Sequence, residues 1–546
     1  MFAVLFVPFF VFSIANADTD GQIQAFNTNQ AFDKFGRKSV AATLRHIGTN
    51  AYFYVENSYW DTLDFSERDN FLSGIRKLSS EFDGNIYPKE TLFWGQEAKP
   101  GVDKDDRIFI LLEQLKQGHG GYFSTSNGYQ KSLAEESNEK EMVVVNAESI
   151  VGPYTKTFMA HEFQHLISFN QKELANKLNE DVWLNELRSE YSITLTGYND
   201  IFTDSNLERR ADNFFNNSSD SLTEWPNVSG DYALVALFAE YVADKYGADL
   251  LKDTLHTNLT GISSINSVLA SRNVGERFID IFGNWLAASY INDSSVNPKF
   301  SYSKSGLERY RALPQRLTIL SDSGSKIFDY LLKPWQLYGH KFFVSGILSN
   351  DKVIKLSPSF NSKFAYADNL GRFSVVDGNF YVTDPGGLQY FFIFPINSAK
   401  VSDFGPKENE TFLTLNVGFE DRSLGMDFGS ALKNGMLINK ARESEIYVIE
   451  GKYKRYLRPE IISLYGHLDA AKAVEVDDAT FHSYTTANYV RYVDDEKVYA
   501  VWPDGTKHWL NVTPQQWDAS GRDWGAIFVI NDLELNRYKT GVDITR

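Results

Sequence analysis

Two histidines and the glutamates near them are where chemistry could start. His161 and His165 stand four residues apart in the run TFMAHEFQHLIS, whose apolar positions Phe158, Met159, Leu166 and Ile167 predict a helix. On a helix that spacing puts both imidazoles on one face, one turn apart, where two neutral rings can grip one Zn²⁺. Glu162, beside the first histidine, can take a proton from metal-bound water without being a ligand, which makes it the candidate general base. Histidine is scarce, 9 in 546 residues. An H-E-x-x-H string still arises by accident in on the order of one chain in a hundred of such composition, so a third ligand has to be found.

A second amphipathic pattern supplies it. Asp181, Val182, Trp183, Leu184, Leu187, Tyr191 and Leu195 begin a helix 16 residues after His165, with Glu186 in its first turns. A catalytic zinc site needs three protein ligands and an open position for water, and two histidines with one glutamate are a recurring set. Glu186 completes it. Glu190, one turn later, can reach the far ring nitrogen of a liganding histidine, fix its tautomer and raise its basicity.

These strings, HEFQH at 161–165 and NELRSE at 185–190, resemble those of the gluzincin metallopeptidases, in which H-E-x-x-H is followed about twenty residues on by N-E-x-x-S-D/E. Within that clan the phrases SNEKEMVVVN, AHEFQHLISF and WLNELRSEYS are similar to the hyicolysin-type secreted neutral metallopeptidases, over roughly residues 45 to 295. The third phrase departs from the common W-L-N-E-G form by having Leu187 and Arg188 after the glutamate. The resemblance implies a zincin-like catalytic domain (mixed sheet, active-site helix, helical lower lobe); with the β-sandwich and the tandem small α/β repeats read further along the chain, the expected class is α+β multidomain. It implies a peptidase acting on a protein or peptide substrate with Zn²⁺ as cofactor. An edge strand at 141–147 would pair with the substrate backbone, and Tyr232 would donate to the oxyanion of the tetrahedral intermediate. No acidic motif such as G-x-M-E-N precedes HEFQH, so endopeptidase is preferred over aminopeptidase. The rival is a catalytically silent zincin-fold surface adhesin that binds partners through its C-terminal β modules.

Composition narrows the setting. With 43% apolar and 15% aromatic residues the body is globular, and a chain of this length divides into several domains. A formal charge of −17 argues against nucleic-acid or anionic-membrane partners, which need a cationic face. The absence of cysteine excludes disulfides, thiolate zinc sites and a cysteine nucleophile. Residues 1–17 read as a secretory signal, an apolar run from Phe2 to Ile14 followed by Ala15-Asn16-Ala17, although no Lys or Arg precedes the run. The run is short of the ~20 residues of a membrane span. The expectation is a secreted or cell-surface protein without a transmembrane segment once the signal is removed.

Along the chain, residues 18–44 read as a leader or linker and 45–312 as the catalytic domain. In the latter, AYFYVE (51–56), a helix over 66–82 and RIFILLEQL (107–115) make a β-α-β order. GVDKDDR (101–107) suits a turn better than a calcium loop, because it lacks the spaced oxygen set. GHGGYF (118–123) suits a tight turn at a sheet edge. Helices follow at 229–246, with Asp231 as N-cap, and at 262–271 and 275–292; His256 has no partner at ligand spacing. Short β patterns over 313–425 predict a sandwich. Residues 437–546 form two repeats of about 52 residues, offset by 52 at Tyr447/Tyr499 and 54 at Tyr484/Tyr538. Their likeness to modules ending bacterial surface proteins suggests cell-envelope attachment. Nothing in the sequence sets an oligomeric state.

Overall fold

The computed structural model describes residues 17–545 apart from 217, 321–323, 345–351, 360–361, 383–386, 422–431, 433–434, 442, 466–467, 493–494 and 496. The signal-like segment, save its last residue, therefore lies outside the described residues. The backbone divides into two units: one runs to Asn179 and resumes over Asn185–Leu207, the other takes Glu180–Leu184 and Glu208–Arg546.

The first unit is built on a six-stranded sheet in the order β1-β2-β3-β4-β6-β5. The strands are β1 (Ile23–Asn27), β2 (Ser39–Ile47), β3 (Ala51–Glu56), β4 (Ile108–Glu113), β5 (Gly121–Phe123) and β6 (Met142–Asn146). β3, β4 and β6 run parallel, and every residue in them is buried. That is why AYFYVE, IFILLE and MVVVN read as nearly unbroken apolar runs rather than alternating ones. Helix α1 (Phe65–Glu81) starts in a capping box: Asp64 accepts from the Glu67 backbone and the Glu67 side chain accepts from that of Asp64. It is followed by α2 (Tyr87–Trp94). Two further helices, α3 (Thr155–Ser168) and α4 (Val182–Leu195), carry the residues picked out above.

Two expectations are corrected here. Residues 18–44 are not a linker: β1 and the start of β2 extend the sheet, with Phe26 facing Val40 across the ladder. Their outward positions mix exposed Ile23, Ala25, Ser39 and Ala41 with Asn27, so no clean apolar-polar alternation marks them as strands. The loop between them is tied down through Arg37, whose guanidinium bonds the buried carboxylates of Asp33 (2.6 Å) and Glu56 (2.5 Å). Nor is the strand at 141–147 an edge. β6 lies between β4 and β5, and the outer position belongs to β5, within the glycine-rich stretch read as a turn.

In the second unit, helices α5 (Ser229–Tyr246), α6 (Gly261–Ser271) and α7 (Phe278–Tyr290) are buried on most of their surface. Asp231 is not the N-cap of α5. It occupies the third helical position and accepts from the Val228 backbone N–H at 2.8 Å, while Val228 takes the cap position. Over residues 316–421 a four-stranded antiparallel sheet and a five-stranded sheet enclose one core that includes Phe328, Phe342, Phe364, Phe391 and Leu415. The last segment holds two five-stranded sheets of the same plan. Each has three central antiparallel strands, Leu437–Lys440, Ile446–Glu450 and Tyr453–Leu457 in one and Tyr489–Tyr492, Val498–Val501 and Thr506–Trp509 in the other, with a parallel strand added at each outer side. Among the described residues no helix is long and apolar enough to cross a membrane.

Candidate metal centre

Helix α3 opens at Thr155, whose hydroxyl donates to the Ser149 carbonyl, and lies against β5 and β6. Met159, Ala160, Phe163 and Ile167 pack it into the core with no exposure, and Phe163 meets Phe82 edge-on at 5.0 Å. Among the polar side chains the same helix buries are His161, Glu162 and His165, each less than a tenth exposed. Helix α4 is anchored by Trp94 Nε1, which donates to Ser192 Oγ at 2.7 Å. That anchorage brings Glu186 onto the two imidazoles.

Three donor atoms converge. His161 Nε2 stands 3.2 Å from His165 Nε2 and 3.0 Å from Glu186 Oε2, and His165 Nε2 is 3.4 Å from the same oxygen. An ion bound tetrahedrally at ~2.0–2.1 Å from each ligand requires ligand atoms about 3.3 Å apart, so this triangle fits zinc without rearrangement. Among the described residues these three are the single group of His, Asp and Glu side chains close enough to share a metal.

The outer nitrogens of both rings are engaged. His165 Nδ1 lies 3.1 Å from Ser189 Oγ. The Ser189 hydroxyl donates to Gln164 Oε1 at 2.6 Å, and Gln164 Nε2 donates on to Ser168 Oγ at 2.8 Å. With its one proton spent on Gln164, Ser189 accepts from Nδ1–H, which leaves the Nε2 lone pair of His165 bare for a ligand. On the other side His161 Nδ1 is 3.4 Å from Glu190 Oε1, and Asn206 Nδ2 donates to the second oxygen of Glu190 at 3.1 Å. Such partners orient liganding imidazoles and raise their basicity.

The field of the pocket favours positive charge at its centre. Burial alone would raise the Glu186 carboxyl, yet His165 and His161 hold it well below the usual carboxylate range. Burial alone would strip a proton from His161, yet Glu186 and Glu190 hold its value well above that of a free imidazole. Glu162 goes the other way: burial pushes its carboxyl up, and the two imidazoles offset only part of this. A carboxylate raised towards neutrality suits proton transfer. The backbone of β5 runs directly over it. A Cβ on Gly121 would come within 2.9 Å of Glu162 Cγ, and the Phe123 ring is nearly parallel to that of His165 at 6.4 Å.

The structure thus brings together His161, Glu162, His165, Glu186 and Glu190, all within the first unit. Tyr232 belongs to the second unit, where its hydroxyl donates to Asn227 Oδ1 at 2.8 Å and its ring meets Trp225 edge-on. The reading of spacing missed Ser189, Gln164 and Asn206, as well as the glycine strand over Glu162. Ser189 had a signal, a small polar residue three positions after the carboxylate ligand and therefore on the same helix face. Asn206 had none, because it reaches the site from the start of a separate helix.

No family model matches the chain. Over 253 residues it is 25% identical to the neutral metalloprotease ShpI of Staphylococcus hyicus. The chain is a distant relative of a metalloprotease. The match takes in 40% of this chain and 52% of ShpI, so the chain spans about half the length of the curated relative it matches. Among solved structures, the PliG lysozyme inhibitors of Salmonella Typhimurium and Aeromonas hydrophila align over 19% and 20% of this chain and 99% and 100% of their own, at 11% and 10% identity. With TM-scores of 0.14 and 0.15 these likenesses carry no argument.

Proposed function

We propose that this chain is a secreted zinc metalloendopeptidase of the gluzincin type with a zincin-like catalytic domain. The observation that carries the reading is the triangle of His161 Nε2, His165 Nε2 and Glu186 Oε2, closed to within 3.4 Å. The similarity to ShpI over 253 residues supports it from a separate direction. His161, His165 and Glu186 would hold the ion; when bound, it supplies Lewis-acid polarisation of the scissile carbonyl and lowers the pKa of a water towards ~7.

The remaining steps belong to the protein. The free edge of β5 pairs with an extended peptide, giving main-chain hydrogen bonds alongside Glu162. Glu162 removes a proton from the attacking water and returns it to the leaving amine. Glu190 and Ser189 keep the two imidazoles in the tautomer that presents Nε2. The C-terminal repeats are the proposed means of holding the enzyme at a cell surface.

Purified Glu162→Gln is expected to keep one zinc per chain and lose casein hydrolysis by several powers of ten, whereas Glu186→Ala loses zinc as well. Full turnover in Glu162→Gln would remove that residue as the base. Stoichiometric zinc without cleavage of any protein by the wild type would favour the adhesin instead.

A further inference from the structure

A concavity of the second unit has no part in the chemistry above. It is a groove of about 1570 Å³ walled by the rim of the sandwich around Phe373–Phe380 and by the C-terminal repeats around Lys452–Tyr453 and Asp518–Gly525. A space of that size exceeds the ~300–1,000 Å³ of a small-molecule pocket and suits several units of an extended ligand.

Its principal feature is Trp524, half-exposed at 49%. The indole leans on the buried ring of Trp517, with centroids 5.0 Å apart and planes 31° apart, and its Nε1 donates to Asp518 Oδ1 at 2.8 Å. The ring is therefore held in one orientation, and its N–H is already used. What it offers a ligand is a bare π face. The charges of the groove are largely matched within it. Lys452 pairs with Asp523 at 2.8 Å, Lys299 pairs with Glu276 at 2.5 Å, and Arg522 lies over Trp517 at 5.7 Å. A cationic ligand would meet Lys452 and Arg522 beside the indole. A polyanion would meet a chain of net charge −17. The chemistry left is a neutral ligand with a flat apolar face and many hydroxyls.

We propose that this groove binds a neutral glycan, with one sugar ring laid on Trp524 and its hydroxyls met by Asp518, Asp377 and Asn379 along the two walls. The site is independent of the metal centre. It gives the C-terminal repeats a ligand of stated chemistry, a polysaccharide surface on which the chain would be retained.

Isothermal titration of the full chain with chitohexaose and with cellohexaose, followed in parallel by tryptophan emission, tests this. Saturable binding of at least one of the two is expected, unchanged by Glu162→Gln. Trp524→Ala should weaken it tenfold or more. Trp502→Ala removes an equally exposed tryptophan that does not line the groove, and should leave the affinity as it was. Asp518→Asn keeps an acceptor for the indole N–H and serves as the second variant should Trp524→Ala unfold; a several-fold loss is expected. Failure of both hexasaccharides to bind, equal affinity in the wild type, Trp524→Ala and Asp518→Asn, or binding confined to a heparin oligosaccharide or a casein peptide would overturn the proposal.

Discussion

Ser189 Oγ and His165 Nδ1 lie 3.1 Å apart, and the direction of that hydrogen bond is set by a third group, the Gln164 carbonyl that takes the serine proton at 2.6 Å. Removing the hydroxyl frees the imidazole to adopt either tautomer. Ser189→Ala is expected to lower metal affinity about 10–100-fold, the usual cost of losing such a partner, with little change in thermal unfolding once the ion is removed. Competition with a chromogenic zinc chelator measures it. An unchanged affinity would mean that His165 is oriented by packing alone.

Gly121 sits where β5 crosses Glu162. A Cβ there would meet the Val144 carbonyl at 2.7 Å and Glu162 Cγ at 2.9 Å, distances at which something must move. The glutamate side chain can yield, and the contact with the Val144 carbonyl requires a small shift of β5 as well. Gly121→Ala is expected to reduce kcat by tenfold or more while zinc content stays at one per chain, because His161, His165 and Glu186 are on other elements. Loss of zinc together with activity would show that the disturbance reaches the metal ligands and is not confined to Glu162.

The parts of the site that were legible in the sequence are those fixed by helical spacing. His161 and His165 share a face because four residues make about one turn, and Glu186 and Glu190 share a face for the same reason. Strand order is not local in this way. MVVVN is apolar up to its last residue because it has a strand on either side and both its faces are covered, whereas the true edge, Gly121–Phe123, is three residues long and begins in glycine. The first two strands escaped because their buried positions, Phe26, Val40, Ala42 and Leu44, are interleaved with small or polar ones, Ala25, Asn27, Ser39 and Ala41. Asp231 shows a smaller version of the problem. An aspartate at the start of a helix can satisfy the first backbone donors from the cap or from the third position, and only coordinates distinguish the two.

Arg37 makes the N-terminal strands part of the folded unit rather than a dispensable leader. Its partners Asp33 and Glu56 are wholly buried, while Arg37 itself is about a quarter exposed. Arg37→Ala leaves two carboxylates without their cation, a change that costs about 3–5 kcal/mol when a buried pair is broken. The urea midpoint should fall accordingly, and limited proteolysis should begin between residues 27 and 39. A variant as stable as the wild type would show that the segment docks without contributing to stability.

Glu113, at the end of β4, gives the fold a pH dependence of known sign. Burial, followed by the neighbouring Asp33, pushes its carboxyl from about 4.5 up to about 8, while Tyr122 Oη donates to it at 3.1 Å. Asp33, Glu56, Arg37 and Tyr122 are the titratable groups around it. Between about pH 4.5 and 8 the folded chain therefore holds a proton that the unfolded chain has released. Stability from this group is fully present below that window, declines as pH rises through it, and levels off above. Glu113→Gln carries the neutral form at every pH, so its urea midpoint should change less between pH 5 and pH 8 than that of the wild type, and the variant should be the more stable of the two at pH 8. Parallel curves for the two proteins over that range would mean that Glu113 ionises in the folded chain as it does in the unfolded one.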